Sequence, residues 1–427
     1  MKKVMLKTTL SLAVAMASSQ LFASGFALNE QSVSGMGTGF AGRSSSADDA
    51  STVYGNPAGM ARLEGQQITG GVAAIDASTD IKDASGRSFG SNKGDMVPFT
   101  AVPFGFYTNK LNDQWAIGFG VYAPFGLVTD YESGFQGRAF GSKSEVKVIT
   151  FQPTVSYAFN DKVSVGFGPT INRISGVLES DLALSPNPAV PNTNVKIKGD
   201  DTALGFNIGV LVQATDTTRV GLTYHSKVSY KLDGHTEVSA PAATSPLLAT
   251  GRYDASLKID TPESYDLSVT QDLTDAWKLY GGATWTRWSR LKDITVNNKG
   301  VTAAGGGAAP LIVGTISEEQ NWHDTWAYAV GTSYQLTKQV VLRTGLTFDQ
   351  SPTNNTDRSP RIPTGDRTIF SVGLGYAVMD NMTVDLAYSY LKEEDVTVNR
   401  TNALGSSYAA KYKNSANGFG LGLTYKF

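Results

Sequence analysis

Apolar side chains at every second position, repeated run after run as far as the terminal Phe427, restrict this chain more than any other feature of its sequence. Trp115, Ile117, Phe119 and Val121 alternate with Gly118, Gly120 and Tyr122, and Ile149, Phe151, Val155, Tyr157 and Phe159 continue the pattern. It returns at Leu204, Phe206, Ile208, Val210 and Val212, at Phe370 to Val378, at Met382 to Tyr390, and at Phe419, Leu421, Leu423 and Tyr425. The opposite parity is mostly Gly, Ser, Thr, Ala, Asn or a charge. A period of two is that of a β-strand with one apolar face. Such a face points into a core in a soluble sandwich and at lipid in a membrane barrel.

Turn spacing separates the two. Short turns fall at Leu111-Asn112-Asp113-Gln114, Asn160-Asp161, Ala214–Thr218, Asp272–Asp275, Thr337–Gln339 and Asp380-Asn381, with much longer segments between them. Six turns joining twelve strands, and one further strand at each chain end, predict an all-β, transmembrane antiparallel β-barrel of about 14 strands. Alternating short and long connections belong to an outer-membrane barrel, short on the periplasmic side and long outside. Tyr107, Trp115, Tyr157, Phe159, Trp277, Trp326, Tyr388, Tyr390, Tyr425 and Phe427 are placed to form girdles at the headgroup level.

Composition agrees. A mean hydropathy of -0.16 is too polar for a helical membrane protein, and no uninterrupted apolar run reaches the roughly 20 residues of a spanning helix. The absence of Cys removes disulfides and thiolate chemistry, and a net charge of -2 offers no basic field for nucleic acid. The three His residues, His225, His235 and His323, lie in no nucleophile or metal motif, and no GxSxG occurs. The expectation is therefore no enzyme, no cofactor and no metal.

The amino end precedes the strands and differs from them. Residues 1–23 read as a bacterial secretory signal, with Lys2, Lys3 and Lys7, an apolar run from Thr9 to Ala17, and Ala23 before the cut. Ser24 to Leu63 shows no period and is rich in Gly, Ser, Ala and Asp. A compact irregular segment before a closed sheet reads as a plug, or hatch, at 24–64, inside a barrel at 65–427. Charges that share the small-residue parity, Arg343, Asp349, Arg367 and Asp385, are expected in the lumen as mutually paired wall charges that hold the plug, with Arg43, Asp48 and Asp49 as partners.

The plug also carries a resemblance. Leu28–Glu30 (LNE), Ser34–Gly37 (SGMG), Ala47–Ala50 (ADDA) and Asn56-Pro57-Ala58 are similar to the hatch of the FadL family (OmpP1/FadL/TodX), outer-membrane transporters of long-chain fatty acids and other hydrophobic compounds. Gly221–Val228, Trp285–Ser289, Arg343–Pro352, Arg361–Arg367 and the final Phe427 resemble it too, in the same order. The resemblance implies passive uptake of a long-chain fatty acid or similar compound by extracellular-loop capture, hatch movement and lateral exit through the wall. Aromatic hydrocarbons of the same family's range, or a general porin, are the alternatives. It implies a capture groove in the third and fourth loops, here Leu182, Leu184, Leu247 and Leu248, although the third loop is shorter and broken by Pro. It implies basic residues for a carboxylate where His323 falls and near Arg173, and an inward kink in the third strand at Pro124, Phe125 and Gly126. A monomer in outer-membrane lipid and lipopolysaccharide, inserted by the barrel-assembly machinery, completes the expectation.

Overall fold

The computed structural model describes residues 25–185 and 189–427; the expected signal peptide at 1–23 lies outside the described residues. Nineteen strands form one antiparallel sheet. In chain order they are β1 (Gln66–Gly86), β2 (Thr100–Lys110), β3 (Trp115–Asp130), β4 (Lys143–Ala158), β5 (Val163–Leu182), β6 (Thr193–Gln213), β7 (Thr218–His225), β8 (Val228–Ser239), β9 (Gly251–Thr261) and β10 (Ser264–Asp272). There follow β11 (Trp277–Thr286), β12 (Asp293–Asn298), β13 (Thr315–Glu319), β14 (Thr325–Gln335), β15 (Val340–Asp349), β16 (Arg367–Met379), β17 (Met382–Glu393), β18 (Val396–Thr401) and β19 (Ser407–Lys426).

Five pairs of these, β7 with β8, β9 with β10, β11 with β12, β13 with β14 and β17 with β18, are two halves of one interrupted stave, so the wall has 14 staves. β19 closes on β1 from Gln67↔Lys426 to Gly86↔Tyr408. All six predicted short turns join successive staves at one end of the barrel. The outward parity is the apolar one: Leu204, Leu267, Leu346 and Phe419 are exposed at 76%, 49%, 48% and 49%. Burial is thus inverted relative to a soluble sandwich, as a wall in contact with lipid requires.

The lumen is occupied by Gly25–Leu63, which includes the short helices Val33–Gly37 and Thr52–Gly55 and the 3-10 turn Pro57–Arg62. Glycines on the inward parity give this segment room. A Cβ on Gly209 would fall 1.9 Å from Asn56 Oδ1, one on Gly221 1.8 Å from the Ser44 carbonyl, and one on Gly345 2.2 Å from the Thr38 carbonyl. The small residues of the alternating pattern are the footprint of the plug.

The ladder is broken between β2 and β3. β2 pairs with β1 over its whole length, from Gln66↔Asn109 to Ile75↔Thr100, but with β3 only from Gly105↔Val121 to Lys110↔Ala116. Beyond Tyr122, β3 stays with β4 through a bulge at Ala123 and Pro124 and leaves β2. Proline supplies no ladder donor, and the extra residue bends the strand. The register shift overlaps the stretch where the sequence leads one to expect a kink, Pro124–Gly126.

Candidate functional site

The site grows from the first described residues. Gly25 has φ 64, a conformation favoured by glycine, and a Cβ there would meet the rings of Trp322 and Trp288 at 2.7 and 2.8 Å. Phe26–Leu28 then runs antiparallel to the kinked part of β3, with Ala27 opposite Phe125. The Leu28 N–H donates to the Pro124 carbonyl (2.8 Å) and the Gly126 N–H to the Phe26 carbonyl (2.9 Å). Gln31 Nε2 donates to the Ala123 carbonyl at 2.6 Å. The segment therefore takes the edge of β3 that β2 has left, a short case of strand addition. The break in the wall is bounded below by Gly105↔Val121 and above by the Asp130 N–H, which donates to the Met96 carbonyl at 2.7 Å.

Phe26 has a second role. Its ring meets Trp288, Phe125 and Trp322 at centroid distances of 4.9, 5.7 and 5.9 Å and forms one end of an aliphatic cavity. Leu127, Val146, Ile174, Leu232, Ile259, Leu291, Ile294 and Ile362 make most of the wall of that cavity, which holds about 820 Å³ of free space, part of it continuous with solvent. A second chamber of about 680 Å³ lies one residue pair further along the same staves: Asn172 follows from Ile174, Tyr230 from Leu232 and Thr261 from Ile259. Two residues of strand span about 6.7 Å, so little more than the Phe26 layer separates the chambers. Pro124 and Phe125 line the second one, which places it against the break in the wall.

Behind Phe26–Leu28 the plug is fixed to the barrel. Asn56 Nδ2 donates to the Ser44 carbonyl (2.7 Å) and to the Val210 carbonyl of β6 (2.9 Å), while its Oδ1 accepts from the Ala58 N–H. Pro57 starts the 3-10 turn, and the Ala58 carbonyl accepts from Ser164 Oγ (2.9 Å) and Ser156 Oγ (3.3 Å). Ser44 is held by Thr223, Asp266 and Ser268. Arg219, which sequence reasoning did not single out, donates to the carbonyls of Ser45 and Ser46. Its signal in the sequence was an arginine on the inward parity of β7, two and four residues before Gly221 and Thr223.

The wall charges pair with one another, and of the expected plug partners Arg43 alone reaches them. Arg343 pairs with Asp385 (2.6 Å) and Arg367 with Glu393 (2.8 Å), wall with wall. Asp49 accepts from Ser34 Oγ and the Ser51 N–H within the plug, and Asp48 is exposed. Arg43 is the one plug residue of the three that reaches a wall charge, Asp266 at 4.0 Å, and it also donates to Asn29. Neighbouring staves carry both signs on the inward face, so pairing across the ladder needs no reach to the plug.

Glu30 stands out among the described residues. It is 1% exposed, and neither carboxylate oxygen has a partner of hydrogen-bond geometry. Desolvation pushes its carboxyl from 4.5 up to about 7, against the opposing pull of nearby main-chain N–H groups and of Arg43 and Arg367.

Of the other predicted residues, Leu182, Leu184 and Leu248 are brought together in an outer apolar cluster with Ala309 and Val313 of the helix Ala309–Val313, whereas Leu247 is 45% exposed. Arg173 and His323 are not at the cavity. Arg173 lies on the outward parity of β5, between inward Asn172 and Ile174, and pairs with Asp200 at 2.9 Å. His323 is exposed in the interruption between β13 and β14. β14 begins at Thr325 and residues 320–324 belong to no strand, so the parity of β14 does not extend back to His323. Among the described residues no group of three or more His, Cys, Asp or Glu side chains could hold a metal.

This architecture is shared. Residues 14–427 match the family model described as outer membrane protein transport protein (OMPP1/FadL/TodX). The chain is 27% identical to the long-chain fatty acid transport protein of Escherichia coli O6:H1 over 457 residues, covering 100% of this chain and 99% of that one. The crystal structure of a Pseudomonas aeruginosa FadL homologue superposes with a TM-score of 0.83 at 27% identity, covering 95% of this chain and 100% of the other. That of the P. putida toluene transporter TodX gives 0.70 at 18% identity over 96% and 99%, a likeness of fold. With its 14-stave wall, occupied lumen and full-length match, the chain belongs to the OMPP1/FadL/TodX family of outer-membrane transport proteins.

Proposed function

We propose that this protein carries hydrophobic small molecules inward across the outer membrane without an energy source, long-chain fatty acids first among them. A molecule collected by the outer apolar cluster enters the aliphatic cavity, displaces Phe26, and leaves sideways through the break between β2 and β3. The observation that carries this reading is the double use of Phe26–Leu28. One three-residue segment both ends the cavity and fills the break, so displacing it opens the path at both places. The holding force is small: two main-chain hydrogen bonds of about 1 kcal/mol each, plus the Phe26 ring.

Residues 24–64 act as the hatch, and its two parts divide the work. Asn56-Pro57-Ala58 and Ser44 anchor it, and Phe26–Leu28 moves. A lateral exit requires the β2–β3 wall to face lipid, so the protein works as a monomer. Aromatic hydrocarbons are a second reading, favoured by a cavity wall that is mostly aliphatic and whose guanidinium, Arg361, is already paired with Glu318.

Cross-linking tests the mechanism cleanly, because the chain has no Cys of its own. Ala27 and Phe125 are opposite each other between two flanking hydrogen bonds, a non-hydrogen-bonded antiparallel pair with Cα atoms about 4.5 Å apart, within disulfide reach. In cells lacking their own family member, the oxidised Ala27→Cys, Phe125→Cys double variant should take up neither labelled oleate nor labelled toluene, and reduction should restore uptake. Uptake that continues through the locked segment would refute the displacement step.

A further inference from the structure

Resting on the reading that the aliphatic cavity is the ligand's berth, this inference concerns which head group its polar corner accepts. Of the polar side chains that border the aliphatic wall, Gln320 and Arg361 interrupt it, while Ser256 stands on the outward parity of β9. Arg361 is already engaged: Nε pairs with Glu318 Oε2 at 3.1 Å, Nη1 donates to the Lys143 carbonyl (3.0 Å) and Ser144 Oγ (2.8 Å), and Nη2 donates to Ser180 Oγ (2.7 Å). Its charge is balanced within the wall. Lys198 also borders the cavity, but it has the outward parity of β6, shared with Lys196, which pairs with Glu179, and with exposed Leu204.

Gln320 is different. It is 4% exposed, its N–H donates to the Lys292 carbonyl (2.7 Å), and its own carbonyl accepts from Asn354 Nδ2 (3.1 Å). Its side-chain amide has no hydrogen-bond partner among the described residues, although it borders the cavity. Two residues back on the same face of the extended chain, Glu318 Oε1 is likewise without a partner. A buried amide in an aliphatic cavity is unfavourable unless something else there meets it.

We propose that the cavity selects a single-chain amphiphile by an uncharged polar head, an alcohol or a protonated acid, hydrogen-bonded to the Gln320 amide, in preference to an ionised carboxylate. A hydroxyl can donate to the amide oxygen and accept from the amide N–H. An ionised carboxylate would lose its water beside Glu318, with the nearby guanidinium already neutralised. A plain hydrocarbon fills the space and leaves the amide unmet.

The test is competition against tritiated dodecanol on the purified full-length protein in micelles, with dodecanol, dodecanoate and dodecane as competitors. At pH 8.5 dodecanol should bind at least tenfold more tightly than dodecanoate, and dodecanoate should gain as the pH falls to 5. Gln320→Leu should bring dodecanol to within about twofold of dodecane; if that variant fails to assemble, Gln320→Met carries the same expectation. Dodecanoate binding as tightly as dodecanol at pH 8.5, or a dodecanol-to-dodecane ratio unmoved by the substitution, would overturn the proposal while leaving the berth intact. No binding of any of the three would instead remove the berth, and with it the transport reading on which the proposal stands.

Discussion

Neutralising Glu30 should decouple the movable segment from pH. In the docked state burial holds this carboxyl at about 7, against 4.5 when the segment is released into water. A carboxyl raised in the docked state favours docking fully below about 4.5. That advantage is lost as the pH rises towards 7, and above 7 it loses no more. At about 1.4 kcal/mol per pH unit the difference amounts to about 3 kcal/mol, or about two orders of magnitude in the open population. That figure exceeds the two main-chain hydrogen bonds to Pro124 and Gly126, so this one group can dominate the equilibrium. Arg43 and Arg367 oppose the shift, and Glu30 lines a polar pocket together with Arg43, Asp266 and Asp349. The assay is the labelling rate of Ala27→Cys by a small water-soluble thiol reagent from pH 4 to 9, divided by the rate of Asp113→Cys in an exposed turn to remove thiol ionisation. The ratio should rise about 100-fold up to pH 7 and then level off, and in Glu30→Gln it should be flat. A flat profile in the parent protein, or parallel profiles in both, would refute the reasoning.

Three further outcomes follow from the same geometry. Phe26→Ala removes the ring that separates the two chambers, so basal uptake of labelled oleate should rise and Trp288 and Trp322 emission should shift to the red; the lost packing costs about 3 to 5 kcal/mol. Gly209→Ala puts a Cβ onto Asn56, and Asn56→Ala removes the donor to Ser44 and Val210; either should loosen the plug by about 1 to 3 kcal/mol, seen as faster proteolysis of residues 25–63 with the barrel still folded. His323→Ala and Arg173→Ala, both away from the cavity, should leave oleate uptake unchanged, and a loss of uptake in either would return a carboxylate-binding role to that residue.

Most of the wall was legible in the sequence because lipid asks for one thing everywhere, an apolar side chain at every second position. Leu204, Leu346 and Phe419 report that demand residue by residue, and turns such as Asp380-Asn381 mark where it stops. The register shift in β3 has a local reason as well: Pro124 cannot donate to a ladder wherever the rest of the chain goes. The cavity was not. Gln320 and Arg361 come from separate interruptions far apart along the chain, and what joins them, the register of β13 and the path of the loop before β16, is tertiary. Parity gave no guide to His323, because β14 begins only at Thr325 and residues 320–324 belong to no strand. Mutual pairing of the wall charges was legible, but not the choice of partner: Arg343 and Asp385 lie on staves with β16 between them, and a reading along one strand cannot see across the ladder.

The seating of the plug bears on how such a barrel is made. Val33 lies against Gly420 and Gly422 of the last strand, and a Cβ on Gly37 would stand 3.0 Å from Gly373 Cα in β16. On the other side of the closure, the Ala50 N–H donates to Thr69 Oγ1 of β1, whose hydroxyl meets that of Thr424 on β19 at 2.9 Å. The plug thus rests on both edges of the seam where the last strand returns to the first. Such seating ties the closing of the cylinder to the filling of its lumen. The plug serves as a form around which the final edge is brought home, and a defect in its seat should appear first as a barrel that is slow to shut.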